Sequence, residues 1–138
     1  MRNIILAAVV VIGFLPGLAA AGENAQAMAP KNTQDLFKLC SVGTDNPEYE
    51  KMVYYCIAYL NGAVAYHNAV AEHKDMERLI CYPKDATLAK GAMAFNEWAR
   101  GKQGDMKFMN EAAVIGAVRG LNAKWPCGRT LRTPDELK

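Results

Sequence analysis

The chain has almost no imbalance of charge. Sixteen Lys and Arg stand against 14 Asp and Glu over 138 residues. A phosphate-neutralising surface shows as a surplus of cations, so the balance argues against bulk binding to nucleic acid. Histidine is scarce. His67 and His73 are the only two, and a separation of six positions takes them off a shared helix face. No thiol or acidic pair joins them, so no metal centre is expected. No C-x-x-C pair, no nucleophile elbow with a Ser/His/Asp set and no glycine-rich phosphate loop occurs. The acids Asp85, Glu97 and Glu111 fall at expected helix starts or outer faces. Capping and solvation account for them better than acid–base chemistry does. Catalytic residues, cofactor and metal are all expected to be absent, and the chain reads as a binding protein rather than an enzyme. Val/Ile/Thr-rich alternation is missing beyond the first 21 residues, which removes strands and leaves an all-α fold.

What is present begins with an address. Met1-Arg2-Asn3 is short and positive, and Ile4 to Leu15 is a run of twelve without a polar or charged side chain. Pro16-Gly17 breaks the run, and Ala19-Ala20-Ala21 supplies small residues for cleavage. This is the pattern of a secretory signal peptide over 1–21, cleaved near Ala21. A helix of twelve residues reaches only ~18 Å, short of a ~30 Å hydrocarbon core. No later run approaches ~18 apolar residues. The mature protein is therefore expected to be soluble, outside the cytoplasm and off the membrane. Without the leader the apolar share falls from 51% to roughly 46%, ordinary for one soluble domain.

Residues 22–32 are small and polar and read as a flexible leader. Periodicity then marks four helices. The first, near 33–41, carries Leu36, Phe37, Leu39 and Cys40, with Asn32 or Thr33 to cap it. Asn46-Pro47 is a strong start for a second, 47–71, whose apolar stripe runs Tyr49, Met52, Val53, Cys56, Leu60, Ala63 and Val64. Gly62, Ala58, Ala63 and Ala65 make it slim enough for close helix contact. Asp85 or Thr87 caps a third helix bearing Leu88, Ala92, Phe95, Trp98 and Ala99. A fourth, continuous over 106–124, places Val114, Val118, Leu121 and Trp125 on one stripe and stops at Pro126. Residues 33–128 thus form one helical domain, and 129–138 a polar tail expected to be mobile.

The four cysteines, Cys40, Cys56, Cys81 and Cys127, all lie in the mature part. An even count in an oxidising compartment reads as two disulfides. The intervals between them, of 15, 24 and 45 residues, do not suit a zinc site. Three pairings are open in principle. Cys81 precedes the third helix and Cys127 follows the fourth, so both sit at the open end of one hairpin, which favours Cys81–Cys127 and leaves Cys40–Cys56. Loops of 15 and 45 residues correspond to ~3 and ~4 kcal/mol in chain entropy. Against a total stability of ~5–15 kcal/mol, reduction is expected to come close to unfolding.

The cysteine-bearing motifs carry a resemblance. Leu39-Cys40, then Cys56-Ile57-Ala58-Tyr59-Leu60-Asn61-Gly62, then Ile80-Cys81-Tyr82-Pro83 with Thr87, then Trp125-Pro126-Cys127 resemble the Rap/Tai family over about residues 33–128. These are small exported bacterial proteins that include immunity proteins against type VI secretion amidases. Two positions depart from the family pattern: Ala58 where a glycine is usual, and Tyr82 where a small aliphatic residue is usual. The resemblance implies a disulfide-linked helical protein of the periplasm. It also implies that the chain binds and blocks a secreted cell-wall amidase, as members of the family do, often as homodimers.

Two surfaces are candidates for contact. The charged connection Glu72, His73, Lys74, Asp75, Glu77 and Arg78 mixes both signs on a segment whose exit Cys81 anchors. Tyr55, Tyr59 and Tyr66 share an edge of the second helix, where a ring can be buried and a hydroxyl kept wet. A rival reading is a structural or chaperone-like periplasmic protein, for which Met52, Met76, Met93, Met106 and Met109 would supply adaptable contacts.

Overall fold

A computed structural model describes residues 29–73, 77–128 and 133–137. The expected signal peptide and the leader up to residue 28 lie outside the described residues. Within them the chain forms five α-helices and no strand. They are α1 (Thr33–Cys40), α2 (Tyr49–Ala71), α3 (Leu88–Arg100), α4 (Met106–Met109) and α5 (Ala113–Lys124), followed by a 3-10 turn at Pro134–Leu137. Both disulfides take the favoured pairing: Cys40 with Cys56 and Cys81 with Cys127.

The helix starts follow local chemistry with one displacement. Asn32 Oδ1 accepts from Asp35 N at 2.8 Å and caps α1. Thr87 Oγ1 accepts from Lys90 N at 3.2 Å and caps α3, while Asp85 instead pairs with the Lys90 ammonium. Asn46 does not cap α2 directly. Its Oδ1 accepts from Glu48 N at 2.8 Å, closing a small turn that delays the helix to Tyr49.

The continuous fourth helix expected over 106–124 is broken in two. Asn110, Glu111 and Ala112 leave the helix to pair with the entry to α1. Thr33 N donates to Glu111 O at 2.8 Å, and Ala113 N donates to Lys31 O at 3.3 Å. Asn32 and Ala112 form an isolated antiparallel bridge. The buried guanidinium of Arg119 then locks the break with a two-pronged bond to the Glu111 carboxylate, at 2.6 and 2.7 Å. Helical periodicity continues through this stretch. Long-range hydrogen bonds override it.

The core falls into two clusters. The larger joins Leu36, Phe37 and Leu39 of α1 to Cys56, Leu60 and Ala63 of α2, Phe95 and Ala99 of α3, Met109 of α4, and Ala113 and Ala117 of α5. The smaller gathers Ile80, Ala94 and Leu121. The expected stripe is buried in part: Leu121 is in the core with Val118 and Trp125 packed against it, but Val114 is not. Ala113, Gly116, Ala117, Gly120 and Leu121 point inward, while Val114 and Ile115 are each 38% exposed. Close approach is the reason. A Cβ at Gly120 would stand 2.9 Å from the Phe95 Cα, and one at Gly116 2.7 Å from Thr33 Cγ2. Small residues let α5 lie directly against α3 and α1, and the bulkier ones turn outward. The slim face of α2 behaves in the opposite way to expectation: Ala58, Gly62 and Ala65 are exposed, and a Cβ at Gly62 would meet nothing within 4 Å.

Two glycines therefore separate packing from propensity. Gly116→Ala drives a methyl into buried Thr33 and is expected to cost about 1–3 kcal/mol. Gly62→Ala meets open space on an exposed helix and is expected to gain about 1 kcal/mol. Urea denaturation midpoints of the two variants should move in opposite directions.

Candidate functional site

The outward turn of Val114 and Ile115 creates a groove. Its α5 wall is Val114, Ile115 and Val118, and its α2 wall is Ala63, Tyr66, His67 and Val70. Glu77 and Leu79, on the stretch leading to Cys81, close one end, and the volume is about 230 Å³. Apart from Glu77 and the His67 imidazole the lining is apolar or phenolic. Tyr66 stands 69% exposed on the rim. A patch of large apolar side chains left in solvent is the kind of surface that partners cover.

His67 positions the closed end. Leu79 N donates to His67 Nε2 at 3.2 Å, so that nitrogen is an acceptor and the ring proton lies on Nδ1, beside Asn68 Oδ1 at 3.3 Å. On the other side of Leu79 its carbonyl accepts from Asn122 Nδ2 at 2.6 Å and from Cys127 N at 3.2 Å. His67 is thus a structural acceptor that ties the connection to α2. Among the described residues no group of three or more His, Cys, Asp or Glu is placed to hold a metal ion.

The sequence-derived candidates distribute as follows. Glu72, His73, Glu77 and Arg78 are all exposed, and Glu77 lines the groove itself. Lys74 and Asp75 lie outside the described residues. Tyr55 and Tyr59 are half-buried and pack against the larger core cluster, and burial pushes the Tyr59 hydroxyl above its usual pKa. Of the three tyrosines only Tyr66 reaches the groove. Val114 was read as core because it lies on a stripe of large residues, and Ile115 was not singled out. The signal that could have found them is the Ala113, Gly116, Ala117, Gly120 repeat, which marks the tight face and leaves its neighbours outside.

A second depression lies beside the Cys81–Cys127 bridge. Tyr82 and Trp125 form one wall, with ring centroids 5.6 Å apart, over Leu60, Val64 and Leu121. The Tyr82 hydroxyl is cut off from solvent and has no hydrogen-bond partner among the described residues.

These features define a class: a small disulfide-linked helical domain with an apolar groove on its surface. No described helix is long and apolar enough to cross a membrane. The chain belongs to the Rap1a immunity protein family, whose model matches residues 32–127. No curated protein and no solved structure matches it at a significant level. Membership implies an effector protein as partner and an action by binding, and together with two disulfides it points to an exported protein.

Tyr82 yields a pH test. Burial pushes its phenol up to about 12, with the Arg78 charge pulling weakly the other way. A raised pKa means that the fold favours the neutral phenol. The contribution is intact below about pH 10, where the unfolded side chain begins to ionise, and drains away as pH climbs towards 12. Tyr82→Phe should remove that decline and, by deleting an unpartnered buried hydroxyl, stabilise the protein by about 1 kcal/mol at neutral pH. Absorbance titration at alkaline pH and urea midpoints on either side of pH 10 check both.

Proposed function

We propose that this protein is a periplasmic immunity protein that binds a peptidoglycan amidase delivered by a type VI secretion system and occludes its active cleft. The observation that carries the reading is the family match over nearly all of the helical domain. The N-terminal signal pattern near Ala21 supports export, and the groove between α2 and α5 offers a docking face. Its apolar floor supplies burial, and the exposed Glu72, His73, Glu77 and Arg78 beside it supply a polar rim. Tyr66 is the natural anchor, since an exposed ring on a helix edge buries much area at little entropic cost. In this reading the effector binds to 33–128 as one domain, and a homodimer would use a face other than the groove.

The rival chaperone-like reading draws on exposed Met93 and Met106, which are 62% and 50% accessible. The two part company in one experiment. Candidate amidases encoded beside the gene are used in a pull-down, and cells expressing a periplasmic amidase are scored for survival. The immunity reading expects capture and protection. Tyr66→Ala should weaken binding about 30-fold, the scale of an interface hot spot, and Ile115→Asp should abolish it with the helical signal unchanged. Met93→Ala, outside the groove, should bind normally. No capture and no protection by any neighbouring amidase would overturn the immunity reading. Suppression of client aggregation at low pH in its place would establish the rival.

A further inference from the structure

The two disulfides occupy opposite environments. Cys56 is 2% exposed and belongs to the larger core cluster, with Cys40 packed against it. Cys81 is exposed and Cys127 half-buried. Access of the attacking thiolate is a main determinant of how fast a disulfide exchanges.

The backbone around the exposed bridge is held without help from sulfur. Cys81 N donates to Trp125 O at 2.9 Å, and Cys127 N donates to Leu79 O at 3.2 Å. Between them Ile80 pairs with Pro126 in an isolated antiparallel bridge and is fully buried. Asn122 Nδ2 adds a 2.6 Å bond to the same Leu79 carbonyl, and His67 Nε2 receives Leu79 N. Opening the sulfur–sulfur bond removes none of these contacts. The two half-cystines would stay side by side, ready to rejoin.

We propose that Cys81–Cys127 is a thiol–disulfide exchange site, opened by a dithiol reductant while the domain stays folded and Cys40–Cys56 stays closed. A thiolate of the reductant attacks the Cys81 sulfur. A mixed disulfide forms there, and the bond to Cys127 breaks, its thiolate leaving and taking a proton from water. The second thiol of the reductant, once deprotonated, displaces Cys81 and closes the reductant into its own disulfide. Two electrons have passed to the protein, which now carries two thiols, and the reductant is oxidised. Cys81, the more exposed residue of the pair, is the point of attack, and the paired segments 79–81 and 125–127 hold the partners for reclosure. The effector reading has no part in this chemistry.

Dithiothreitol is the probe. The exported protein is treated under native conditions, quenched with iodoacetamide at intervals and mapped by peptide mass, with far-ultraviolet circular dichroism in parallel. Alkylation of Cys81 and Cys127 should run at least ~10-fold ahead of Cys40 and Cys56. The helical signal should persist until the second pair opens, and removing the reductant in air should restore Cys81–Cys127. Equal rates, a lead by Cys40 and Cys56, or loss of helix in step with the first alkylation would overturn the proposal. The double variant Cys81→Ser/Cys127→Ser gives an independent reading. It should keep its helical signal and its slow Cys40–Cys56 reduction, and an unfolded double variant would count against the proposal.

Discussion

The near contact of α5 with α3 and α1 governs the architecture. At Gly120 the backbone of α5 comes so close to Phe95 that no side chain fits between them, and at Gly116 the same is true against Thr33. This spacing decides which face of α5 is inside. It puts Ala113, Gly116, Ala117 and Gly120 against the neighbouring helices, and it leaves Val114 and Ile115 partly at the surface. The groove is a by-product of that choice: a helix that packs by its small face must carry its larger apolar residues somewhere else. Dispersion over a close interface compensates for the area that the exposed valine and isoleucine fail to bury.

Hydrogen bonds at the ends of the helices finish what packing begins. The break at Asn110–Ala112 exists because Glu111 and Ala113 meet the backbone of Lys31 and Thr33, so the start of the domain is stitched to its last helix. Arg119 would be costly in the interior without a partner. The Glu111 carboxylate grips it, and the Phe108 ring lies 5.2 Å from its guanidinium carbon. At the other end of α5 the carbonyl of Leu79 collects bonds from Asn122 and Cys127. The connection after α2 is therefore fixed from both sides just where it borders the groove. A binding surface built on such supports is preorganised, and less affinity is lost to ordering it.

The groove proposed as the partner surface was legible only in outline. The charged connection was singled out for being irregular and anchored by Cys81, and Glu77 does line the groove. Tyr66 was singled out for its place on a helix edge, and it is the exposed member of its set. Tyr55 and Tyr59 share that edge by spacing alone. The core reaches them and leaves Tyr66 outside, because the edge of a helix is inside or outside according to what packs against it. His67, set aside as a metal ligand, serves as the hydrogen-bond acceptor that holds Leu79.

Local chemistry was enough for much of this protein. Capping residues, prolines and apolar spacing are properties of short stretches, so the helical class could be read directly and two helix starts narrowed to Asn32 or Thr33 and to Asp85 or Thr87, of which the structure selects Asn32 and Thr87. The pairing of the cysteines followed from the order of the helices, and the motifs around them led to the family. The split of the last helix, the inward face of α5 and the groove that results could not be read in this way. Each depends on distances between segments far apart in the chain, such as Lys31 to Ala113 or Phe95 to Gly120. A periodic pattern records which residues share a side, but only the assembled helices determine how closely two sides approach and therefore which one is buried.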